Sequence, residues 1–515
     1  MQSNGLALPL LLSALCLTAP LALADQPAQA EQQPQLDYRV RSAPADELHM
    51  EAPKLPDLSG YTKEAVLAKI PHSAKGKVVV RRMLRQDALK DFTGGNERLR
   101  EWIKRQQGMP QAIFIEGGLV TPQDIADALP DSQFAEQAPG VYLARLPIVV
   151  AQNATLHVGK ETNELRLSQE RGSFLVNDGL MFITDTRVTA WREADNGPAT
   201  FRDPKEFRPF LVSWGGSELY IASSVITSLG YSNSKSYGVS ITQYTPNQHK
   251  ILQRPEPTGW LIDSEFVDHW YGFYCYEAQN IVIKGNTYRD NIVYGIDPHD
   301  RSHGLIIADN TVFGTKKKHG IIISREVNDS WIINNKSYDN KLSGIVIDRD
   351  SVRNVIAYNK TYENYSDGIT LYESGDNLLW GNQVLSNKRH GIRIRNSENI
   401  RLYENLSALN QLTGVYGHIK DLSGTGRNLQ LDPYDAKISM IIVGGTLAGN
   451  GSSPINIDSP LSVELYRVKM LAPSKSTGIQ LAGILGEKQD EILDLLLRKR
   501  QPVLIDPIDP EQMTN

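Results

Sequence analysis

Two cysteines in 515 residues leave little room for disulfide chemistry. Cys16 lies in an apolar leader, and Cys275 stands alone in the rest of the chain. Once the leader is removed, no intramolecular disulfide can form, so an exported form rests on its packed core alone. Positive charge is not in surplus either: the net charge is −5, which argues against nucleic acid as the main partner. Beyond Leu6–Leu23 there is no long apolar run, so the mature chain is expected to carry no membrane span. The Leu-x-x-Leu-x-Leu signature of leucine-rich repeats is missing as well.

The first 24 residues read as a secretory signal, with Ala22-Leu23-Ala24 fitting a cleavage site before Asp25. Its leading "MQSNG" has no Lys or Arg. An uncleaved anchor is the bland alternative, disfavoured by Pro9, Pro20 and a length barely sufficient to span. Lipidation at Cys16 fits less well, because Leu15 precedes it where a small residue is needed. An envelope or secreted location follows.

What the sequence has in abundance is a beat. Glycines followed by alternating apolar residues recur at Gly238, Gly272, Gly295, Gly320, Gly344, Gly368, Gly391 and Gly414. After a first gap of 34, the spacings are 23, 25, 24, 24, 23 and 23. Asparagines keep the same time at Asn286, Asn310, Asn335, Asn359, Asn382 and Asn405. Such a period denotes a solenoid, and the local period of two denotes strands. The reading is all-β: a right-handed parallel β-helix with helical N- and C-terminal caps, each repeat one rung. Stacked asparagines are expected to bond from rung to rung. The glycines are expected to supply a special backbone conformation at the start of each strand.

Flanking segments complete the layout. Residues 25–55 are Pro-, Gln- and Ala-rich and expected to be flexible. Residues 56–140 read as an N-terminal cap and early rungs, with helices over 59–70, 95–107 and from Thr121 to 129, and a strand over 77–84. The β-helix proper, with its groove, is expected over 141–430. Last rungs and a closing helix over 486–500 fall within 431–515.

Register follows from alternation. One residue after each glycine comes an apolar side chain (Ile296, Ile321, Ile345), which points inward. Three after is mostly apolar too, which makes Cys275 a packing residue rather than a reactive thiol. The positions between face outward and carry Tyr274, Tyr276, Asp297, His299, Tyr372, Arg393 and Arg395. Asp300, Arg325 and Arg349 follow at the strand ends, and Tyr294 and His319 precede their glycines. Rungs stack about 4.8 Å apart, so a linear polysaccharide along them meets new side chains at nearly every sugar. Aromatic faces suit sugar rings, and Arg forks suit carboxylates. Plain surface polarity explains the Ser and Thr of these columns well, and the recurring Tyr, His, Arg and Asp poorly.

The charge is densest in "YGIDPHD", residues 294–300. Asp297 and His299 are two apart and so share the outer face, with Pro298 between them unable to donate to the ladder. An imidazole beside a carboxylate is a candidate general base, oriented by that carboxylate. Arg325, one rung on, can neutralise a substrate carboxylate, which is what proton removal next to a carboxylate demands. His319 is a second donor, and Lys318, in the run Lys316–Lys318, adds positive charge. A structural His–Asp pair is the bland reading of the doublet alone. A cation held by Asp297 and Asp300 is an alternative to Arg325 as the neutralising group.

"YGIDPHD", set in a β-helix with an Arg one rung on, resembles the mannuronan C5-epimerases of alginate biosynthesis. It is most similar to the exported, periplasmic bacterial type, because the chain has a signal and lacks calcium-binding nonapeptide repeats. The resemblance covers 140–430 and extends to the mature chain. It implies inversion of D-mannuronate to L-guluronate within the finished polymer. It implies His299 as the base, Arg325 on the C5 carboxylate, Asp297 in support of His299, and Tyr294 or a water returning the proton. It implies protein partners in an envelope-spanning export complex and no nucleotide or redox cofactor. A polyuronate lyase would share the fold and the carbanion, and a non-catalytic polysaccharide-binding scaffold would share the fold alone.

Overall fold

The computed structural model describes residues 36–44, 51–83, 89, 98–472 and 478–508. The expected signal over 1–24 lies outside the described residues. The described residues from Tyr38 onward belong to one compact unit.

Among the described residues, the chain winds through three sheets of 15 strands, each rung giving one strand to each sheet in turn. Pairing from rung to rung is parallel, as in Ile306–Ala308 on Trp331–Ile333 and Ile321–Ser324 on Ile345–Asp348. This is a parallel β-helix. The second sheet contains every glycine-led strand from Gly238 onward, and 294–299 lies near its middle. The third sheet holds short strands such as Lys336–Tyr338 and Lys360–Tyr362.

The inward columns pack as the alternation dictates. Ile296, Ile321, Ile345, Ile369 and Ile392 are fully buried in one continuous core, joined by Cys275, Ile323, Ile347 and Leu371. Each such side chain contributes about 1.5–3 kcal/mol by leaving water. Ile125 of the helix Pro122–Ala128 joins this core from one end. Leu485, Ile492 and Leu496 join it from the other. That last segment is not one helix over 486–500: it breaks into Ile484–Glu487 and Gln489–Leu493, followed by a π turn, because Lys488 leaves helical geometry.

The asparagine ladder is built as the spacing predicts. Asn335 donates its backbone N–H (3.0 Å) and its side-chain amide (3.0 Å) to Asn359 Oδ1, and that amide also donates to the Ile307 carbonyl (2.8 Å). Asn286, Asn310, Asn359 and Asn382 repeat the pattern. The glycines have a different reason from the expected one. Of that column only Gly238 has a positive φ. The others are glycine because the next rung leaves no room: a Cβ on Gly272 would collide with the Gly295 carbonyl oxygen, and one on Gly320 with Ser337 Oγ.

The stretch over 25–55 is not wholly flexible. Tyr38–Ser42 forms a strand antiparallel to Val503–Pro507, which itself lies antiparallel on Ser462–Tyr466. The N-terminal segment thus closes the C-terminal end of the first sheet, then returns along that sheet. Leu55, Leu58 and Tyr61 pack on its outer aromatics, and Trp331 Nε1 donates to the Lys54 carbonyl (3.3 Å). No helix among the described residues is long and apolar enough to cross a membrane.

Candidate active site

Strand 294–299 departs from its neighbours at one place. It pairs with 321–324 at Ile296 and His299, but not at Asp297 and Pro298 between them. Proline lacks the N–H that the ladder needs, so the strand is held by its two ends. After His299 the backbone turns sharply: Asp300 and Arg301 both have positive φ, of 37° and 60°.

That turn decides which carboxylate serves the imidazole. His299 Nδ1 bonds Asp300 Oδ2 at 2.6 Å, and Asp297 makes no hydrogen bond to His299. The left-handed residue swings the Asp300 side chain back onto the ring, which alternation along a strand does not anticipate. Burial alone would lower the His299 pKa, but the Asp300 bond and the charges of Asp297 and Asp300 outweigh it, and the net shift is upward. Burial pulls Asp300 the other way, yet His299, Arg325 and Arg301 hold it below the usual carboxylate range.

Asp297 is 2% exposed, and its Oδ1 has no hydrogen-bond partner. Burial pushes its pKa up to about 7 against the pull of His299 and Lys318. Its support of His299 is therefore by charge. The expectation that it orients the ring is corrected: Asp300 does so. Arg325 Nη1 lies 3.4 Å from Asp300 Oδ1, and its side chain is 41% exposed, which leaves most of the guanidinium fork open to the groove.

Tyr294 stands at the opposite end of the strand. Five residues of extended chain separate it from His299, about 16 Å between Cα atoms. Lys318 Nζ donates to its hydroxyl (3.1 Å), and its ring stacks on His319 (centroids 6.1 Å, 7° between planes). Burial and the Asp297 charge raise the Tyr294 pKa, so the phenol keeps its proton. Burial holds His319 at about 4. Its Nδ1 accepts from the Ser343 N–H (3.1 Å), which leaves Nε2 as the protonated donor. Tyr274 lines the floor beside the base, 8% exposed, with its ring 6.0 Å from that of His299.

The remaining groove residues divide. Tyr276, one rung before His299, is flanked by Lys235 (4.6 Å) and Arg301 (5.9 Å). Arg349 is half-exposed near Asp348 (3.5 Å) and Asp432 (3.6 Å). Tyr372 meets the guanidinium groups of Arg395 (3.9 Å) and Arg393 (5.5 Å), both from the next rung. Arg393 donates to His418 Nε2 through both Nε (3.2 Å) and Nη2 (3.0 Å). Arg395 is not free for substrate: both of its bonds go to the buried Glu373 (2.8 and 3.1 Å), which also accepts from Arg427 (2.9 Å). Arg427 comes from the non-repeating segment after Val415–His418, so no column reveals it. Tyr237 is a groove residue that the sequence reading missed. It stacks on Tyr271 at 4.5 Å and meets Tyr274 edge-on at 5.0 Å. Its signal was present, since it precedes Gly238 as Tyr271 and Tyr294 precede their own glycines. Among the described residues, no group of three or more His, Cys, Asp or Glu is placed to hold a metal ion.

Chemically, the arrangement puts an oriented imidazole on one rim, a protonated phenol on the other and an open guanidinium beside the first. Comparison with known proteins gives the family of the chain. A family model described as periplasmic copper-binding protein (NosD) matches residues 231–416, the repeat region. A "Mannuronan C5-epimerase" of Pseudomonas putida is 64% identical over 97% of this chain and 97% of its own. One of Pseudomonas aeruginosa is 66% identical over 94% of this chain and 91% of its own. A crystal structure of "the periplasmic alginate epimerase AlgG" is 62% identical and superposes with a TM-score of 0.81, covering 82% of this chain and all of that one.

Proposed function

The chain belongs to the mannuronan C5-epimerase family, and on that premise we propose that His299, Arg325 and Tyr294 invert C5 of mannuronate residues from the two rims of the groove. The enzyme is a periplasmic isomerase that acts on alginate at the polymer level. Exchanging the C5 hydrogen for one on the other face turns D-mannuronate into L-guluronate, with no net redox change and no bond of the chain broken.

The polymer lies along the solenoid axis, across the strands. A sugar over strand 294–299 then has His299 on one side of C5 and Tyr294 on the other. Asp300 takes the Nδ1 proton bond, so Nε2 of the neutral ring is the basic nitrogen turned to substrate. As it removes the C5 proton, charge grows on the carboxylate oxygens. Arg325 lies beside the base and offers its fork to that charge. Asp297, buried beside the base without a hydrogen bond to it, acts on His299 through its charge. Tyr294 delivers its proton to the opposite face, and Lys318 and His319 hold the phenol in place. Tyr274, Tyr276, Arg349, Tyr372 and Arg393 extend the contact to neighbouring sugars.

The observation that carries this assignment is the separation of the oriented base and the protonated phenol to opposite ends of one strand. Inversion needs two groups on opposite faces of carbon. The test is Tyr294→Phe in D₂O. With the acid gone, the base still works: C5 hydrogen exchanges with solvent while guluronate forms at least about tenfold more slowly. Equal rates of inversion in the variant and wild type would remove Tyr294 from the acid role. The first 24 residues serve as the export signal, and the protein works among other proteins of an envelope-spanning export complex. Cross-linking in intact cells tests that association, and recovery of the uncross-linked chain alone would count against it.

A further inference from the structure

The catalytic groove uses one face of the triangle. The outward face of the third sheet carries a second ordered array that the mechanism leaves unused. On strands Thr311–Phe313, Lys336–Tyr338 and Lys360–Tyr362 the middle residues Val312, Ser337 and Thr361 point into the core, fully buried. Their neighbours therefore face out. Phe313, Tyr338 and Tyr362 stack in a ladder with centroids 5.0 and 4.7 Å apart and planes within 4° and 11°. Lys336 and Lys360 stand in register beside it, with the Lys360 amine 5.3 Å from the Tyr362 ring.

The array continues around the corner toward the catalytic sheet. In the turn that follows, Lys341, Tyr365 and Lys388 fall on successive rungs, all exposed. Tyr365 is 54% exposed, with the Lys341 amine 5.5 Å from its ring. None of these four lysines has a carboxylate partner among the described residues. Within 336–341, 360–365 and 383–388, the strands of this face and the turn after them, the acids are Asp339 and Glu363, so the four lysines outnumber them. The same turn leads to the column of His319, which borders the groove.

We propose that the outward face of the third sheet, with the lysine-bearing turn beside it, is a second binding track for an anionic polysaccharide. It holds a stretch of the polymer that lies outside the catalytic groove. Amines one rung apart answer a carboxylate repeating at each sugar, and the tyrosines offer ring surface and hydroxyls between them. Two tracks on one rigid body raise the retention of a long chain without tightening the reacting site. The proposal rests on the epimerase reading above.

The test compares long poly-mannuronate with hexamannuronate, which the groove alone can hold. In Lys336→Ser/Lys341→Ser/Lys360→Ser the KM for the long polymer is expected to rise about fivefold to tenfold, while hexamer turnover stays unchanged. Tyr365→Ala, a single exposed ring, moves the same quantity in the same direction. An unchanged KM for the long polymer would overturn the proposal, as would an equal rise for both substrates. Wild-type protein that left both substrates unaltered would bring down the epimerase reading and this proposal with it, a result distinct from an active wild type with unaffected variants.

Discussion

Replacing Asp300 by asparagine isolates the one contact that the sequence assigned to the wrong residue. Asn is isosteric, and it tolerates the positive φ of 37° at this position, so the turn survives. Its amide oxygen still accepts the His299 Nδ1–H, so the ring stays oriented. What is lost is the charge on a 2.6 Å bond. A hydrogen bond to a charged group is worth about 1.5–3 kcal/mol and a neutral one about 1, a difference of about 0.5–2 kcal/mol, whose middle is roughly tenfold in rate. The Asp300 bond and charge are also what raise the His299 pKa against burial, so the variant's imidazole titrates lower. The base is active when neutral. The acid limb of the kcat/KM–pH profile therefore moves to lower pH while the plateau falls about tenfold. The assay is initial rate of guluronate formation on poly-mannuronate across pH, with thermal unfolding as a control on the fold. An unmoved acid limb with an undiminished plateau would refute the pairing of His299 with Asp300 as a functional unit.

Other expectations follow from the same geometry. His299→Ala removes the base and is expected to cost about 10²–10⁴-fold in kcat with an unchanged melting temperature. Arg325→Gln withdraws the cation from the developing carboxylate charge and should lower kcat about 10²–10³-fold, and a change confined to KM would make Arg325 a mere binding group. Asn359→Ala strips four side-chain bonds from the ladder, two accepted from Asn335 and two donated to Asn382 and the Ile332 carbonyl, and is expected to destabilise by about 3 kcal/mol or more in denaturant unfolding. Gly320→Ala, which drives a Cβ into Ser337 Oγ, should cost about 1–3 kcal/mol by the same measurement.

The sequence and the structure part company in an orderly way. What repeats was legible: the glycine and asparagine beats give the rungs, alternation gives the inward isoleucines and the outward Asp297 and His299, and Tyr294 is marked by its place before a repeat glycine. What breaks the repeat was not. Asp300 turns back on His299 because its backbone is left-handed, and no period of two contains that information. Tyr38–Ser42 pairs with Val503–Pro507 across almost the whole chain, so nothing local marks it as a strand. Arg395 stands in an outward column, but Glu373 occupies it, and that carboxylate is shared with Arg427, which arrives from a segment with no repeat. The glycine column was found by its spacing, while its cause, the closeness of the next rung, needed coordinates.

The most direct test of the account is a proton NMR spectrum of poly-mannuronate incubated in D₂O with the purified mature protein. Inversion by proton removal and return predicts guluronate signals that carry deuterium at C5, with the chain intact. Unsaturated ends would mean that the carbanion expels the neighbouring sugar instead, and guluronate retaining its original C5 hydrogen would contradict the two-rim exchange between His299 and Tyr294.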